Sequence, residues 1–276
     1  MRFVIVLLAY FFHRRYQLAL TDHLDRKIES LLERAGRSAP LSPHSAWGWV
    51  VLPVLLLSIA FQALDALFFG VVTLALNIFV LVACMGSTSL RPAIEAYIDA
   101  GRRDDWQSAW RYLEAAGLKL EASTRNEESL NRQVADWYVQ ESFGLYFLVT
   151  FWFMLLGAPG ALFARFIWVA TRHGQANWDA LSHVVYWIPV RLMALGLGLV
   201  GNFMGMLQAS ISDLIDPQAR WERVLANASK GAAEGLGQTG NQAKLSPVLH
   251  ARQLINYAFL AWLVGLALLT LVGTIG

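Results

Sequence analysis

Apolar residues gather in windows that hold no Asp, Glu, Lys or Arg: Ser38 to Leu64, Ala66 to Leu90, Phe143 to Ala164, Leu192 to Ser212 and Gln253 to Gly276. Each is about as long as the roughly 20 residues a helix needs to cross a bilayer. From Ala46 to Gly86 only Asp65 interrupts the apolar run, which predicts two membrane helices joined by a very short connection. Pro53 falls in the first turns of the first of them, where its missing N–H does least harm. Leu254 to Ile275 predicts a further span. Phe143 to Val169 is divided by Gly157-Ala158-Pro159-Gly160 into an arm of 14 residues and a shorter one ending near Arg165. Fourteen residues reach roughly 21 Å, short of a hydrocarbon core of roughly 30 Å. The expectation is a re-entrant or interfacial hairpin, with a single kinked span as the alternative. Tyr186 to Leu207 follows as an apolar helix with Pro189 and Arg191 near its start, lying against the bundle or partly inserted.

The polar connections carry helical periodicity. Leu20, Leu24, Ile28, Leu31 and Leu32 keep to one face, with Arg26, Lys27, Glu29, Glu33 and Arg34 mainly elsewhere on the wheel. Ile94, Tyr97 and Ile98 begin a second pattern. Trp106, Trp110 and Leu113 continue it after Asp104-Asp105, a good helix start. Leu130, Val134, Trp137 and Tyr138 give a third pattern, and Trp221, Val224 and Leu225 a weaker fourth. No strand and no internal repeat is predicted. The fold class is therefore all-α: a polytopic membrane protein with three to four transmembrane helices, a re-entrant or interfacial hairpin and amphipathic cytoplasmic helices. Its segments are an N-terminal amphipathic stretch (1–45), a transmembrane hairpin (46–86), amphipathic helices (87–142), a hairpin and apolar helix (143–212), a loop (213–253) and a last span (254–276).

Composition agrees: 56% of the 276 residues are hydrophobic and 15% charged, with a mean hydropathy of +0.44. Soluble domains carry about 25% charge. A net charge of +2 from dispersed basic residues leaves no footprint for nucleic acid. Six Lys or Arg lie between His13 and Ser45 and seven between Leu90 and Ser142, against none in the link at Asp65. Both flanks of the first hairpin are thus expected in the cytoplasm. A re-entrant second hairpin adds Arg165, Arg172, Arg191, Arg220, Arg223 and Lys230 to the same side. Met1 to Phe12 resembles a signal peptide, but His13-Arg14-Arg15 stands where a small-residue cleavage site is needed, so the segment is expected to be retained.

Familiar motifs give little. Cys84 is the lone cysteine, set in an apolar run, which excludes an intrachain disulfide. Gly196, Gly198 and Gly201 match GxGxxG, as do Gly235, Gly237 and Gly240, without the βαβ unit that a dinucleotide site requires. The first set suits close helix approach. None of His13, His23, His44, His173, His183 and His250 has a second ligand at i+4, no GxSxG elbow occurs, and no cofactor is indicated. Asp65 is either an intramembrane functional group or a polar turn residue at the far interface.

Four residues form the candidate site. Glu141 ends an amphipathic helix where an apolar run starts, and Arg191 opens another, which puts both at headgroup level. There Arg can fork to phosphate or carboxylate, and Glu can move a proton. An interfacial ion pair or lipid anchor is the competing reading. His183, one turn before Trp187, is a candidate proton carrier or a hydrogen-bonded structural residue, and Arg165 is a second cation for an anionic ligand.

Tyr186-Trp187-Ile188-Pro189-Val190-Arg191-Leu192, with Gly198-Leu199-Val200-Gly201-Asn202-Phe203, resembles the AmpE branch of the membrane family that also contains the CobD/CbiB cobalamin-biosynthesis synthases. The likeness runs back through Phe151-Trp152-Phe153 and Leu156-Gly157-Ala158-Pro159-Gly160-Ala161-Leu162, and His183 falls at a histidine of a related AmpE sequence. The resemblance implies a bacterial inner-membrane protein linked to β-lactamase induction and peptidoglycan recycling. The synthase branch instead joins an amino-alcohol phosphate to a corrinoid carboxylate using ATP. Where that branch carries an acidic ENLSDG-like cluster and an NTLD-like motif, this chain has Glu141-Ser142-Phe143-Gly144-Leu145-Tyr146 and Phe166-Ile167-Trp168-Val169, and Tyr186 stands where an acidic or amide residue is common.

Three functions follow as expectations. The first is an AmpE-like accessory or sensor protein whose cytoplasmic face, around Glu141, Arg165, His183 and Arg191, meets an anionic or phosphorylated ligand or a partner. The second is a membrane-embedded ATP-dependent ligase or transferase in which Arg191 holds phosphate and Glu141 or His183 moves a proton. The third is a transporter using Asp65, for which three or four spans would need to assemble as a homo-oligomer. The lipid bilayer is a partner in all three.

Overall fold

The computed structural model describes residues 2–16, 20–38, 56, 58–59, 71–85, 90–118, 127–172, 178–236 and 244–272. Among these the regular elements are all helical: α1 (Arg2–Tyr16), α2 (Leu20–Ser38), α3 (Val71–Cys84), α4 (Leu90–Arg102), α5 (Trp106–Ala115), α6 (Glu127–Ser142), a π turn (Phe143–Leu148), α7 (Val149–Leu156), α8 (Ala158–Arg172), α9 (Asp179–Val200), α10 (Phe203–Ile215), α11 (Trp221–Ala233) and α12 (Ser246–Leu271). Asp65, most of the helix expected before it, His44, His173 and the glycines Gly237 and Gly240 lie outside the described residues.

Three helical stretches are long and apolar enough to cross a membrane: Glu128–Leu156, Asp179–Val200 and Ser246–Leu271. The chain is an all-α polytopic membrane protein. The first stretch differs from the expected 14-residue arm. Nothing at Glu141-Ser142-Phe143 breaks a helix, so the amphipathic helix α6 runs through the π turn into α7. The resulting 29 residues extend about 44 Å at 1.5 Å each. The fall in polarity at Phe143 lies within a continuous helical stretch, where Phe143, Leu145, Phe147, Leu148 and Val149 are all buried, and is not the start of an element. The apolar helix expected from Tyr186 begins earlier, at Asp179, and stops at Val200, because Asn202 caps a new helix with its side chain accepting from the Gly205 N–H. The last span likewise begins earlier, at Ser246.

The chain forms two compact units. One comprises Met1–Ser87, Gly144–Pro189 and Leu263–Gly276. Here α7 and α8 fold back on each other at Gly157, whose φ of +72° lies in the left-handed region that favours glycine. The edge-to-face pair Trp152–Phe163, 5.3 Å between centroids, closes the hairpin. Asn77 from α3 accepts from the first N–H of α8, at Ala158, over 3.2 Å, and Pro159 sits in the first turn where no N–H is required. Helix α1 runs against the hairpin in the opposite direction to α7. Arg2 Nη1 donates to the Met154 and Leu155 carbonyls at 2.8 and 3.0 Å, while the His13 ring meets Tyr146 at 6.0 Å. Helix α2 packs on α3 and α8. Arg2, Asn77 and Gly157 thus share one end of this unit, and His13 and Arg172 lie toward the other. Val4, Leu7 and Phe11 are exposed at i, i+3 and i+7 of α1, an apolar stripe suited to lipid.

The other unit comprises Thr88–Phe143 and Val190–Trp262. The expected periodic residues Ile94, Tyr97, Ile98, Leu113, Leu130, Val134, Trp137, Tyr138, Val224 and Leu225 are all buried, while Trp110 is exposed. Asp105 caps α5 as expected, accepting from the Ser108 N–H at 3.1 Å. Tyr97 donates its hydroxyl to Asn131 Oδ1 at 2.8 Å and so ties α4 to α6. Helices α10 and α11 run antiparallel: the Asn202 N–H reaches the Ala232 carbonyl at 2.9 Å, and Asp213 takes Arg223 and Asn227 at 2.8 and 2.7 Å. Methyl groups on Gly201, Gly205 or Gly231 would collide with the facing backbone, at Ala232, Gly231 and Gly205 respectively. The GxGxxG at Gly196 is thus a helix-packing surface, as expected from small residues in an apolar helix. On α12, whose residues from Leu263 onward belong to the first unit, Tyr257, Leu260, Val264, Leu268 and Leu271 are exposed at spacings of 3, 4, 4 and 3, the face that lipid would cover.

Candidate functional site

Of the four candidate residues, Arg165 and His183 belong to the first unit, and Glu141 and Arg191 to the second. Each unit has its own polar centre.

The first is built on α8. Its apolar faces meet α7, α3 and α2, so Arg165, midway along, is buried to 2% exposure. A buried guanidinium needs an opposite charge, and Asp25 of α2 supplies it. Arg165 Nε donates to Asp25 Oδ1 at 2.7 Å and Nη2 to Oδ2 at 2.5 Å, a two-point pair whose side chains are 3% and 25% exposed. Beside it α2 is fixed by Thr21, whose hydroxyl donates to the Met85 carbonyl at 3.3 Å. Buried Cys84 lies in the field of both charges. Two turns after Arg165, the Arg172 guanidinium stands 5.0 Å from the Trp168 ring centroid and senses Asp25. The Thr171 hydroxyl bonds the Ile167 and Trp168 carbonyls at 2.9 and 3.0 Å, which leaves it to accept from the fully buried Tyr186 hydroxyl 3.0 Å away. The residue in place of the family's acidic or amide group is therefore a hydrogen-bonded part of this wall. His183, on the turn before it, is half-buried and engaged by neighbours.

The second centre is Arg191. Its Nε donates to the Leu214 carbonyl and its Nη2 to the Asp216 carbonyl, both at 2.8 Å. These are the terminal carbonyls of α10, the negative end of a helix dipole. The fork expected to hold a ligand oxyanion thus clamps a helix end. Glu141 is 7% exposed in the last turn of α6, also with partners. Among the described residues no group of three or more His, Cys, Asp or Glu could hold a metal ion.

Asp25 escaped sequence reasoning. The signal was its place on the wheel, since Thr21, Asp25, Ile28 and Leu32 follow at spacings of 4, 3 and 4. Thr21, Ile28 and Leu32 are buried, so a carboxylate on that stripe must find a partner inside.

A helical membrane protein that holds buried charges in internal pairs and helix clamps is the class these observations define. Over residues 1–276 the chain matches the family described as "Regulatory signalling modulator protein AmpE", and it belongs to the AmpE family. Protein AmpE of Shigella flexneri is 25% identical over 240 residues, covering 81% of this chain and 83% of the relative. The cobalamin biosynthesis protein CobD of Stutzerimonas stutzeri (strain A1501) is 26% identical over 201 residues, 66% of this chain and 61% of that protein. No solved structure matches.

Proposed function

We propose that this AmpE-family protein is an inner-membrane accessory or sensor protein in cell-wall-linked β-lactamase induction, with most of its polar loops in the cytoplasm. An anionic ligand or partner is sensed through its charged groups Glu141, Arg165, His183 and Arg191. The match of the whole chain to a signalling-modulator family carries this reading. The charges support it: a buried Arg165 held by Asp25 is an ionisable pair of the kind that folded proteins keep for a purpose.

The test is induction of β-lactamase by a β-lactam in a host lacking its own copy of the protein. Wild type restores induction and Arg165→Ala, inserted at normal abundance, does not. Normal induction by that variant would remove Arg165 from the signalling path. Cysteines placed at Asn177 and Asn241 are expected to label from the cytoplasmic side, and labelling of both only from outside would reverse the orientation.

The CobD relative favours a second reading, an ATP-dependent ligase or transferase acting on a phosphorylated small molecule. It requires the purified protein to bind ATP, and absence of binding removes it.

A further inference from the structure

Pro189 stands in the middle of α9, with helix on both sides of it. A proline there has no N–H for the carbonyl four residues back, and its ring crowds that carbonyl. The carbonyl left open belongs to Val185, which is 3% exposed and so needs a donor from the protein. Trp152 of α7 supplies it: the indole Nε1 donates to the Val185 carbonyl at 3.2 Å. The indole is itself held in place. Phe151 and Phe163 meet it edge to face at 5.6 and 5.3 Å between centroids. Its main chain is pressed against Gly160 of α8, where a methyl group would strike the Trp152 carbonyl oxygen. Residues 151–153, 156–162 and 186–192, which carry the family likeness, thus come together around one contact.

Helix α9 is anchored separately on the two sides of the proline. Before it, the Val185 carbonyl takes the Trp152 indole and the Tyr186 hydroxyl bonds Thr171 at 3.0 Å, both contacts with the α7–α8 hairpin. After it, Arg191 donates to the Leu214 and Asp216 carbonyls, and the Leu192 carbonyl accepts from Trp262 of α12 at 3.4 Å. The chain passes from the first unit to the second at the same place, between Pro189 and Val190. Two anchored half-helices joined through a residue that lacks a backbone bond make a hinge. What bridges the gap is one neutral indole bond at the long end of the N–H···O range.

We propose that Pro189 is the hinge of α9 and the Trp152 indole its latch. Closed, the indole N–H sits on the Val185 carbonyl. Open, that bond is broken and α9 bends further at the proline, carrying Arg191 with its far half. The inference goes beyond the signalling reading and does not depend on it.

Hydrogen exchange of the full chain in phosphatidylcholine nanodiscs, read by mass spectrometry and corrected for intrinsic rates, tests both parts. The amides of residues 190–193 bond carbonyls four residues back and so bridge the proline. Trp152→Phe keeps an aromatic ring in the same place but has no N–H. It speeds exchange at residues 190–193 by about tenfold or more, while residues 164–169 of α8 stay within about threefold of wild type. Pro189→Ala restores the missing backbone donor and slows exchange at residues 190–193 by about tenfold or more. In that background Trp152→Phe changes the rate by less than about twofold, because the Val185 carbonyl then has its own helical partner. A phenylalanine that merely damaged the packing would speed exchange in both backgrounds. The latch is overturned if Trp152→Phe leaves exchange at residues 190–193 unchanged, or if its effect is as large in the Pro189→Ala background as in wild type. The hinge is overturned if Pro189→Ala fails to slow that exchange.

Discussion

Asp25 and Arg165, 140 residues apart in sequence, meet through two hydrogen bonds at 2.7 and 2.5 Å. The pair fastens an amphipathic helix to the apolar hairpin of α7 and α8. Because the guanidinium is almost fully buried, removing only its partner leaves a charge with no compensation. Asp25→Ala is expected to cost about 3–5 kcal/mol. The paired replacement Asp25→Leu with Arg165→Met removes both charges and recovers most of that loss. Unfolding in mixed micelles measures both. If the double variant is no more stable than Asp25→Ala, the cost lies in packing and not in the stranded charge.

The cap at Asp105 gives a prediction in pH. The hydrogen bond from Ser108 to its carboxylate, aided by Arg103 and Arg111, holds its pKa below the ordinary carboxylate value. A depressed carboxylate pKa contributes stability that is complete above the unfolded value of about 3.9 and is lost as pH falls through the lower folded value. Amide protection in Trp106–Ala115 is thus expected to hold down to about pH 4 and decline below it. Asp105→Asn, which keeps an acceptor oxygen, removes this acid dependence, and Asp105→Ala lowers protection at every pH. Hydrogen exchange read by mass spectrometry checks all three.

Much of the helical frame was legible because it rests on spacing within single segments. Leu130, Val134, Trp137 and Tyr138 bury together because a helix brings them to one side, and Gly157-Ala158-Pro159-Gly160 interrupts a helix by its own backbone chemistry. Relations that depend on folding across the chain were not legible. Asp25 on an amphipathic helix has the look of a solvated charge until Arg165 arrives from 140 residues away. Arg191 has the look of a ligand fork until α10 turns and ends beside it. The length of the rod through Phe143 was hidden because a change of polarity resembles a boundary. Glu141, Arg165, His183 and Arg191 read as one site along the sequence, and the fold divides them between two units.

Close helix approach gives a stability prediction with an internal control. Gly205 and Gly231 face each other so closely that a methyl on either would strike the other's carbonyl oxygen. Backbone cannot yield as a side chain can, so Gly231→Ala is expected to destabilise the α10–α11 pair by roughly 1–3 kcal/mol. Gly265 has nothing within 4 Å of the corresponding position, and Gly265→Ala is expected to be neutral or stabilising by up to about 1 kcal/mol. Unfolding midpoints of the two variants in one detergent give the comparison. Equal effects would mean that the two helices separate freely.

Arg191 decides how the signalling phenotype is to be read. Its two hydrogen bonds close the C-terminal end of α10 at Leu214 and Asp216. Arg191→Ala therefore costs about 1–2 kcal/mol of local helix stability and lowers hydrogen-exchange protection near Ile215. Arg191→Lys keeps a positive charge at the negative helix end but has no planar fork, so it restores part of that protection. Induction measured on the same variants separates two roles. If lysine recovers protection and induction together, Arg191 serves by holding α10. If it recovers protection while induction stays lost, the guanidinium meets the ligand itself, because a clamp alone would have been repaired.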